Sequence, residues 1–187
     1  MDVRGFTSLA EKLPPAELAQ RLNRFYSLAT NCVFDYDGTL DKLVGDQVMA
    51  FFGAPLQAKD HPKRAVQAAL RIVQGMSEPD ENDRLQVGAG IATGAAFVGN
   101  VGGGSVTDYT VLGDTVNIAA RLQGLAAPGE ILVNQETYDH VETDFPMAPS
   151  RDLELKGKTE LVRARVIVVN EKATFSSTSL NETGKLR

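Results

Sequence analysis

TLDKLVGDQVMAFFG, residues 39–53, reads as a strand, a tight turn at Gly45-Asp46 and a second strand. The apolar face of such a hairpin needs a cover, and helical patterns flank it on both sides. Upstream, Leu18, Leu22, Phe25 and Leu28 recur at helical spacing, with Gln20, Arg21 and Arg24 on the other side. That helix starts behind Pro14-Pro15 and runs to about Phe34. A shorter helix precedes it from near Thr7, where Ser8 and Glu11 fit a capping box, and DYDG at residues 35–38 turns the chain into the hairpin. Downstream, Asp60 ahead of Pro62 opens a helix whose buried stripe is Ala65, Ala69, Ile72, Val73 and Met76. Residues 77–83, SEPDEND, form a polar loop. Strand signals follow at 85–94 and 95–102, then a glycine-rich turn at 102–104 and a helix over 114–126 capped by Asp114. A strand at 130–133, a short helix at 135–141 and a final hairpin across 153–169 complete the pattern. Interleaved helices and strands predict an α+β fold, an α/β sandwich in which helices cover a mixed sheet. Residues 1–170 form one domain, and residues 171–187, poor in apolar residues and without periodicity, read as a disordered tail.

The chain has 187 residues, of which 19 are Lys or Arg and 24 are Asp or Glu, a net charge of −5. That balance leaves no electrostatic footprint for nucleic acid, and no basic run marks a membrane surface. The longest apolar run, Val48 to Phe52, is five residues, where a bilayer span needs about 20. No membrane contact is expected of this chain, and MDVRGFT at its start has no apolar stretch of signal-peptide type. One cysteine, Cys32, and two histidines, His61 and His140, exclude an internal disulfide, a multi-thiolate zinc site and a histidine-rich metal centre. A cytoplasmic, reducing location is expected.

Two groups of residues have the types and spacing for chemistry. Asp46 follows a glycine in the hairpin turn, where a short carboxylate projects without crowding. Asp2 precedes Gly5, Phe6 and Thr7, whose backbone N–H groups at a helix start form a phosphate cradle. Two Asp carboxylates together with phosphate oxygens suit hard Mg²⁺ or Mn²⁺ ions. In DYTVLGDTVNIAARL, Asn117 and Arg121 stand four apart on one helix face, pairing an amide with a guanidinium for a ribose and a phosphate. A plainer reading remains open for each: Asp46 as a turn former, Asp2 as a surface charge and Arg121 as the solvated face of a helix. On the same plain reading Lys42 is a surface lysine and Asp108 an ordinary turn residue.

DVRGFTSLAEKL, GTLDKLVGDQVMAFFGAP, VGAGIATGAAFVGNVG, DYTVLGDTVNIAARL and ELKGK occur in that order. Together they resemble the catalytic domain of class III nucleotidyl cyclases, from Asp2 to about Val169. The resemblance implies a ferredoxin-like mixed sheet covered by helices. It also implies an adenylate cyclase of intracellular signalling, which converts ATP to cyclic AMP and pyrophosphate. By the same resemblance Asp2 and Asp46 match the aspartates that hold two divalent cations, Mg²⁺ or Mn²⁺. Lys42 and Asp108 match the pair that reads the purine, Asn117 the residue that orients the ribose, and Arg121 the transition-state arginine. Lys156 matches a lysine on the terminal phosphates. A lysine donor and an aspartate acceptor complement adenine's ring nitrogen and exocyclic amine, whereas guanine presents an oxygen acceptor and a ring N–H on that edge. The resemblance further implies a homodimer whose active sites are shared: one chain supplies the two aspartates, the other the purine pair, Asn117 and Arg121.

The sequence departs from that pattern at two places. The resemblance implies a central strand of about six apolar residues ending at Asp2, so further sequence upstream is expected. Gln86 stands where many relatives have an arginine that reaches the phosphates, which implies weaker triphosphate binding. A cyclase-like module kept for dimerisation or nucleotide sensing, without turnover, is the alternative expectation.

Overall fold

A computed structural model of the chain describes residues 1–77, 85–153 and 161–169. The central hairpin forms as the sequence requires: β2 (Thr39–Val44) and β3 (Gln47–Phe51) pair antiparallel around a turn in which Gly45 takes φ 59°, a conformation that favours glycine. Strand β1 (Asp2–Val3) pairs antiparallel with β3 on one side and with β4 (Val87–Ile91) on the other. Between these strands run α1 (Phe6–Lys12), α2 (Pro15–Asp35) and α3 (His61–Ser77). The element order β1, α1 and α2, β2, β3, α3, β4, with spatial strand order β2-β3-β1-β4, is the split βαβ of a ferredoxin-like unit.

The sheet continues through β7 (Glu130–Asn134), parallel to β4, and then β9 (Val162–Val168) and β8 (Ser150–Leu153), both antiparallel. Among the described residues it is a mixed sheet of seven strands, while β5 (Phe97–Gly103) and β6 (Val106–Leu112) make a separate two-stranded ribbon. Two helices remain, α4 (Asp114–Leu125) and α5 (Gln135–Asp139).

Alternation along β7 shows how the layers divide. Ile131 and Val133 join Phe25, Ala29 and Cys32 of α2 and Val66, Ile72 and Met76 of α3 in the main core. Leu132 points the other way, to a smaller core with Leu122 of α4 and with Ala164 and Val166 of β9. One sheet face is thus covered by α2 and α3, the other by α4. This is the α+β architecture expected from the sequence.

Several local expectations are corrected. The first helix begins at Phe6 behind Gly5, without a side-chain cap, so Ser8 lies inside it and the Ser8–Glu11 capping box is absent. Gly113, not Asp114, is the N-cap of α4, and Asp114 is its first residue. Ser77 belongs to α3 rather than to the following loop. Strand β6 occupies residues in which no strand was expected. The short helix ends at Asp139, two residues early, and the last hairpin begins at Ser150 rather than at residue 153. Residues 78–83 of the expected polar loop, the middle of the last hairpin, Lys156 and the tail from residue 171 lie outside the described residues. Among the described residues no helix is long and apolar enough to cross a membrane.

Candidate active site

Strand pairing brings Asp2 and Asp46 to adjoining strand ends. Asp2 stands opposite Gln47 of β3 and Gly88 of β4, and the Val3 N–H donates to the Asp46 carbonyl at 3.3 Å. The Asp2 carboxyl is partly buried, and burial raises its pKa above the ordinary value of 3.8, with the Asp46 charge adding to the rise. The Arg4 guanidinium and the Gln123 side-chain amide act in the opposite direction: Arg4 pairs with Oδ1 and Gln123 donates to Oδ2. Arg4 also donates to the Gln123 carbonyl at 2.8 Å, and Gln47 Nε2 donates to Gln123 Oε1 at 3.3 Å. The Tyr26 hydroxyl donates to the Gly45 carbonyl, which ties the turn carrying Asp46 to α2.

Two neighbouring carboxylates that repel one another are a donor set for a hard cation. Among the described residues no group of three or more His, Cys, Asp and Glu side chains could hold a metal, so water and phosphate oxygens would complete the coordination. Gly5, Phe6 and Thr7 follow β1 after Arg4, and Gly5, the N-cap of α1, offers no side-chain acceptor to the N–H groups of the first turn.

Lys42 and Asp108, 66 residues apart, form an ion pair between β2 and β6. The bond to Asp108 is the main reason why the Lys42 ammonium has a raised pKa. Asn117 and Arg121 lie on α4, Asn117 exposed and Arg121 half-buried. Arg121 Nη1 is buried and has no hydrogen-bond partner among the described residues. An unsatisfied guanidinium donor is costly unless an acceptor arrives, so an acceptor at this position would satisfy Arg121. Among the described residues no hydrogen bond or ion pair joins the Asp2–Asp46 group to Lys42–Asp108 or to Asn117 and Arg121. Gln86 is exposed beside β4 and accepts from the Arg4 N–H through its carbonyl.

A cleft of about 360 Å³ opens between β3 and β4, walled by Ala65 and Ala69 of α3 and by Val116 and Ala119 of α4. Its lining is largely apolar and includes none of Asp46, Lys42, Asp108, Asn117 and Arg121, although Gln47 and Gln123, which belong to the hydrogen bonds around Asp2, and His61 border it.

Sequence reading missed Arg4 and Gln123. Gln123 carried a usable signal. It continues the apolar stripe of α4 that Val116 and Ala119 begin, where helical periodicity calls for an apolar residue. Only 6% of it is exposed, so a glutamine there needs a polar partner.

The model of the adenylate and guanylate cyclase catalytic domain family matches residues 1–168. An uncharacterised protein of Mycobacterium tuberculosis is 37% identical over 139 residues, covering 73% of this chain and 26% of its own length. The chain therefore spans about a quarter of that relative. Among solved structures, the adenylyl cyclase CyaB from P. aeruginosa is 32% identical with a TM-score of 0.78, over 91% of this chain and 92% of that one. The guanylyl cyclase Cya2 is 30% identical with a TM-score of 0.80, over 92% and 91%.

Proposed function

The chain belongs to the adenylate and guanylate cyclase catalytic domain family, and from that premise we propose that it is an adenylate cyclase, forming cyclic AMP and pyrophosphate from ATP. The ribose 3′-oxygen attacks the α-phosphorus in line; the new O–P bond forms as the bond to the β-phosphate oxygen breaks and pyrophosphate leaves. The 3′-OH proton passes to Asp2, to water or to the substrate itself. Asp2 and Asp46 would hold Mg²⁺ or Mn²⁺, which when bound lowers the pKa of the 3′-OH and neutralises the triphosphate.

The remaining work falls to this chain's own side chains. Lys42 donates to the adenine ring nitrogen and Asp108 accepts from the exocyclic amine. Asn117 orients the ribose. Arg121 meets the charge that develops on the α-phosphoryl oxygens, so it acts on turnover more than on binding. The N–H groups of Gly5, Phe6 and Thr7, together with Lys156, meet the other phosphates. In a homodimer with shared sites, the two aspartates of one chain face the purine pair, Asn117 and Arg121 of the other.

The observation that carries adenine over guanine is the Lys42–Asp108 pair, a donor and an acceptor side by side on β2 and β6. A second reading, a cyclase-like module without turnover, draws support from the engagement of both Asp2 oxygens by Arg4 and Gln123. Incubation with ATP or GTP and Mn²⁺, followed by assay of cyclic nucleotide and pyrophosphate, separates the two. Cyclic AMP made in preference to cyclic GMP is expected. Comparable specificity constants for both nucleotides would remove the adenylate assignment, and nucleotide binding without any pyrophosphate release would favour the second reading.

A further inference from the structure

Arg4 follows β1, and its backbone N–H donates to the Gln86 carbonyl at 2.6 Å. Its side chain does not run out to solvent as an arginine ordinarily does. Only 16% of it is exposed, and the guanidinium passes over Gly88 of β4. A Cβ on Gly88 would stand 2.6 Å from Arg4 Nε and 2.9 Å from Cζ, closer than real Cβ contacts come. The glycine is therefore what admits the guanidinium to this place.

From there a single nitrogen, Nη2, serves three acceptors. It pairs with Asp2 Oδ1, donates to the Gln123 carbonyl at 2.8 Å and reaches the Gly88 carbonyl at 3.5 Å. Nη2 carries two hydrogens, so it keeps carbonyl partners if Oδ1 is given up. The contact with Asp2 also lacks the two parallel bonds of an arginine–carboxylate fork, since Nε is buried and has no hydrogen-bond partner among the described residues. Charge neutralises Asp2 here, but the geometry does not lock the pair. The other Asp2 oxygen is held by Gln123, a neutral donor.

We propose that Arg4 is a built-in counter-ion of Asp2, which holds the carboxylate in place and yields Oδ1 to a divalent cation, falling back on the Gln123 and Gly88 carbonyls. The proposal rests on the reading of Asp2 and Asp46 as the cation-holding pair. Those two carboxylates adjoin and repel one another, and a fixed guanidinium offsets that repulsion before any cation arrives. The same positive charge then opposes a second one on Asp2. Arg4 thus stabilises the cation-free chain and lowers its affinity for the cation. An arginine with a merely structural role would contribute stability and leave that affinity alone, or raise it by orienting Asp2.

The test is titration of the full chain with Mn²⁺ without nucleotide, read as loss of the paramagnetic resonance signal of the free ion, with thermal unfolding of each variant. Asp46→Asn should weaken Mn²⁺ binding about tenfold or more. Arg4→Gln should tighten it about three- to tenfold while lowering the unfolding temperature of the cation-free chain. Gly88→Ala, which pushes the guanidinium aside, should move the affinity in the same direction. Arg4→Lys keeps the charge and should stay within about twofold of the unmodified chain; a gain equal to that of Arg4→Gln would overturn the charge argument. If Asp46→Asn weakens binding while Arg4→Gln leaves it unchanged or weakens it too, Arg4 is structural and the inference fails alone. If Arg4→Gln does not fold, equal affinities for Gly88→Ala and the unmodified chain overturn it. Unchanged binding in Asp46→Asn, or no Mn²⁺ bound by any of the chains, overturns the cation-holding pair and takes this inference with it.

Discussion

Helix α4 lies against β4 at a point where the strand has no side chain. A Cβ at Gly90 would stand 2.2 Å from the Gln123 nitrogen and 2.3 Å from the Ala119 carbonyl oxygen, both backbone atoms of α4. Ordinary contact begins near 3.4 Å, so Gly90→Ala requires helix and strand to separate by about 1.2 Å. Neither obstructing atom is the free end of a side chain, and the helix must move as a body. Overpacking of this kind costs about 1–3 kcal/mol of stability. The same helix carries Asn117 and Arg121, the residues proposed to act on the ribose and the α-phosphate, and a misplacement of about 1 Å in catalytic groups costs on the order of 10²-fold in rate. Denaturant unfolding and cyclic AMP formation, measured on the same preparations, give both quantities. Gly124→Ala is the control, since a Cβ there meets nothing within 4 Å and Ala is favoured over Gly inside a helix by about 1 kcal/mol. Gly90→Ala protein with unaltered stability and unaltered turnover would refute the reasoning. So would a Gly124→Ala loss as large as that of Gly90→Ala.

Asp46→Ala and Arg121→Ala chains should each be inactive alone and should recover about a quarter of full activity when mixed equally, because half of the dimers are then mixed and each has one intact site; heterodimers that form without activity would exclude shared sites. Lys42→Glu combined with Asp108→Cys should erode ATP use, measured as kcat/KM, by about 10²-fold or more, because the polar edge of a bound adenine would lose both partners; unchanged ATP use would dissociate these residues from the base. Burial raises the Asp2 carboxyl above its ordinary value of 3.8, with the Asp46 charge adding to it, so the folded chain binds that proton more tightly than the unfolded one. Its contribution to stability is full below the ordinary value and is lost as pH rises through the raised one. Asp2→Asn should therefore gain stability relative to the unmodified chain as pH climbs from about 4 toward neutrality, and a flat difference between the two denaturation series would contradict the burial argument. Glu130 has the opposite sign, since Arg151 holds its carboxyl below the ordinary 4.5 through bonds at 2.7 and 3.0 Å. Glu130→Gln should cost stability at neutral pH, with the deficit closing as pH falls through the lowered value.

The layers of this fold were legible because they rest on local rules. The β2–β3 hairpin declared itself by a glycine that takes φ 59° at the turn, and α3 by apolar residues repeating at helical spacing. The caps are not legible for one shared reason: Gly5 and Gly113 start α1 and α4 without any side-chain acceptor, whereas cap preferences point to Ser8 and Asp114, polar residues inside each helix. Strand β6, VTDYTVL, was passed over because it lies in a two-stranded ribbon outside the main sheet, where no continuous apolar face is demanded of it. Site residues divide in the same way. Nothing local joins Lys42 to Asp108 across 66 positions; only the family resemblance brought them together before the β2–β6 contact did.

Helix α4 connects the parts of the site that the sequence left separate. Residues on an α-helix are about 100° apart, so Gln123, two beyond Arg121, projects to nearly the opposite side. One side of α4 thus presents Arg121 with its unsatisfied Nη1, and the other presents the Gln123 amide that holds Asp2 Oδ2. The distance between α4 and β4, set at Gly90, fixes both at once. If sites are shared between two chains, and Arg121 and Asp2 have the roles proposed above, a single helix positions the arginine of one site and the metal-binding carboxylate of the other. A displacement of α4 would then act on both sites of the dimer together. Gly90→Ala should for that reason fail to complement either the Asp46→Ala or the Arg121→Ala chain, although those two complement each other. Restoration of activity by Gly90→Ala in either mixture would show that α4 serves only one site.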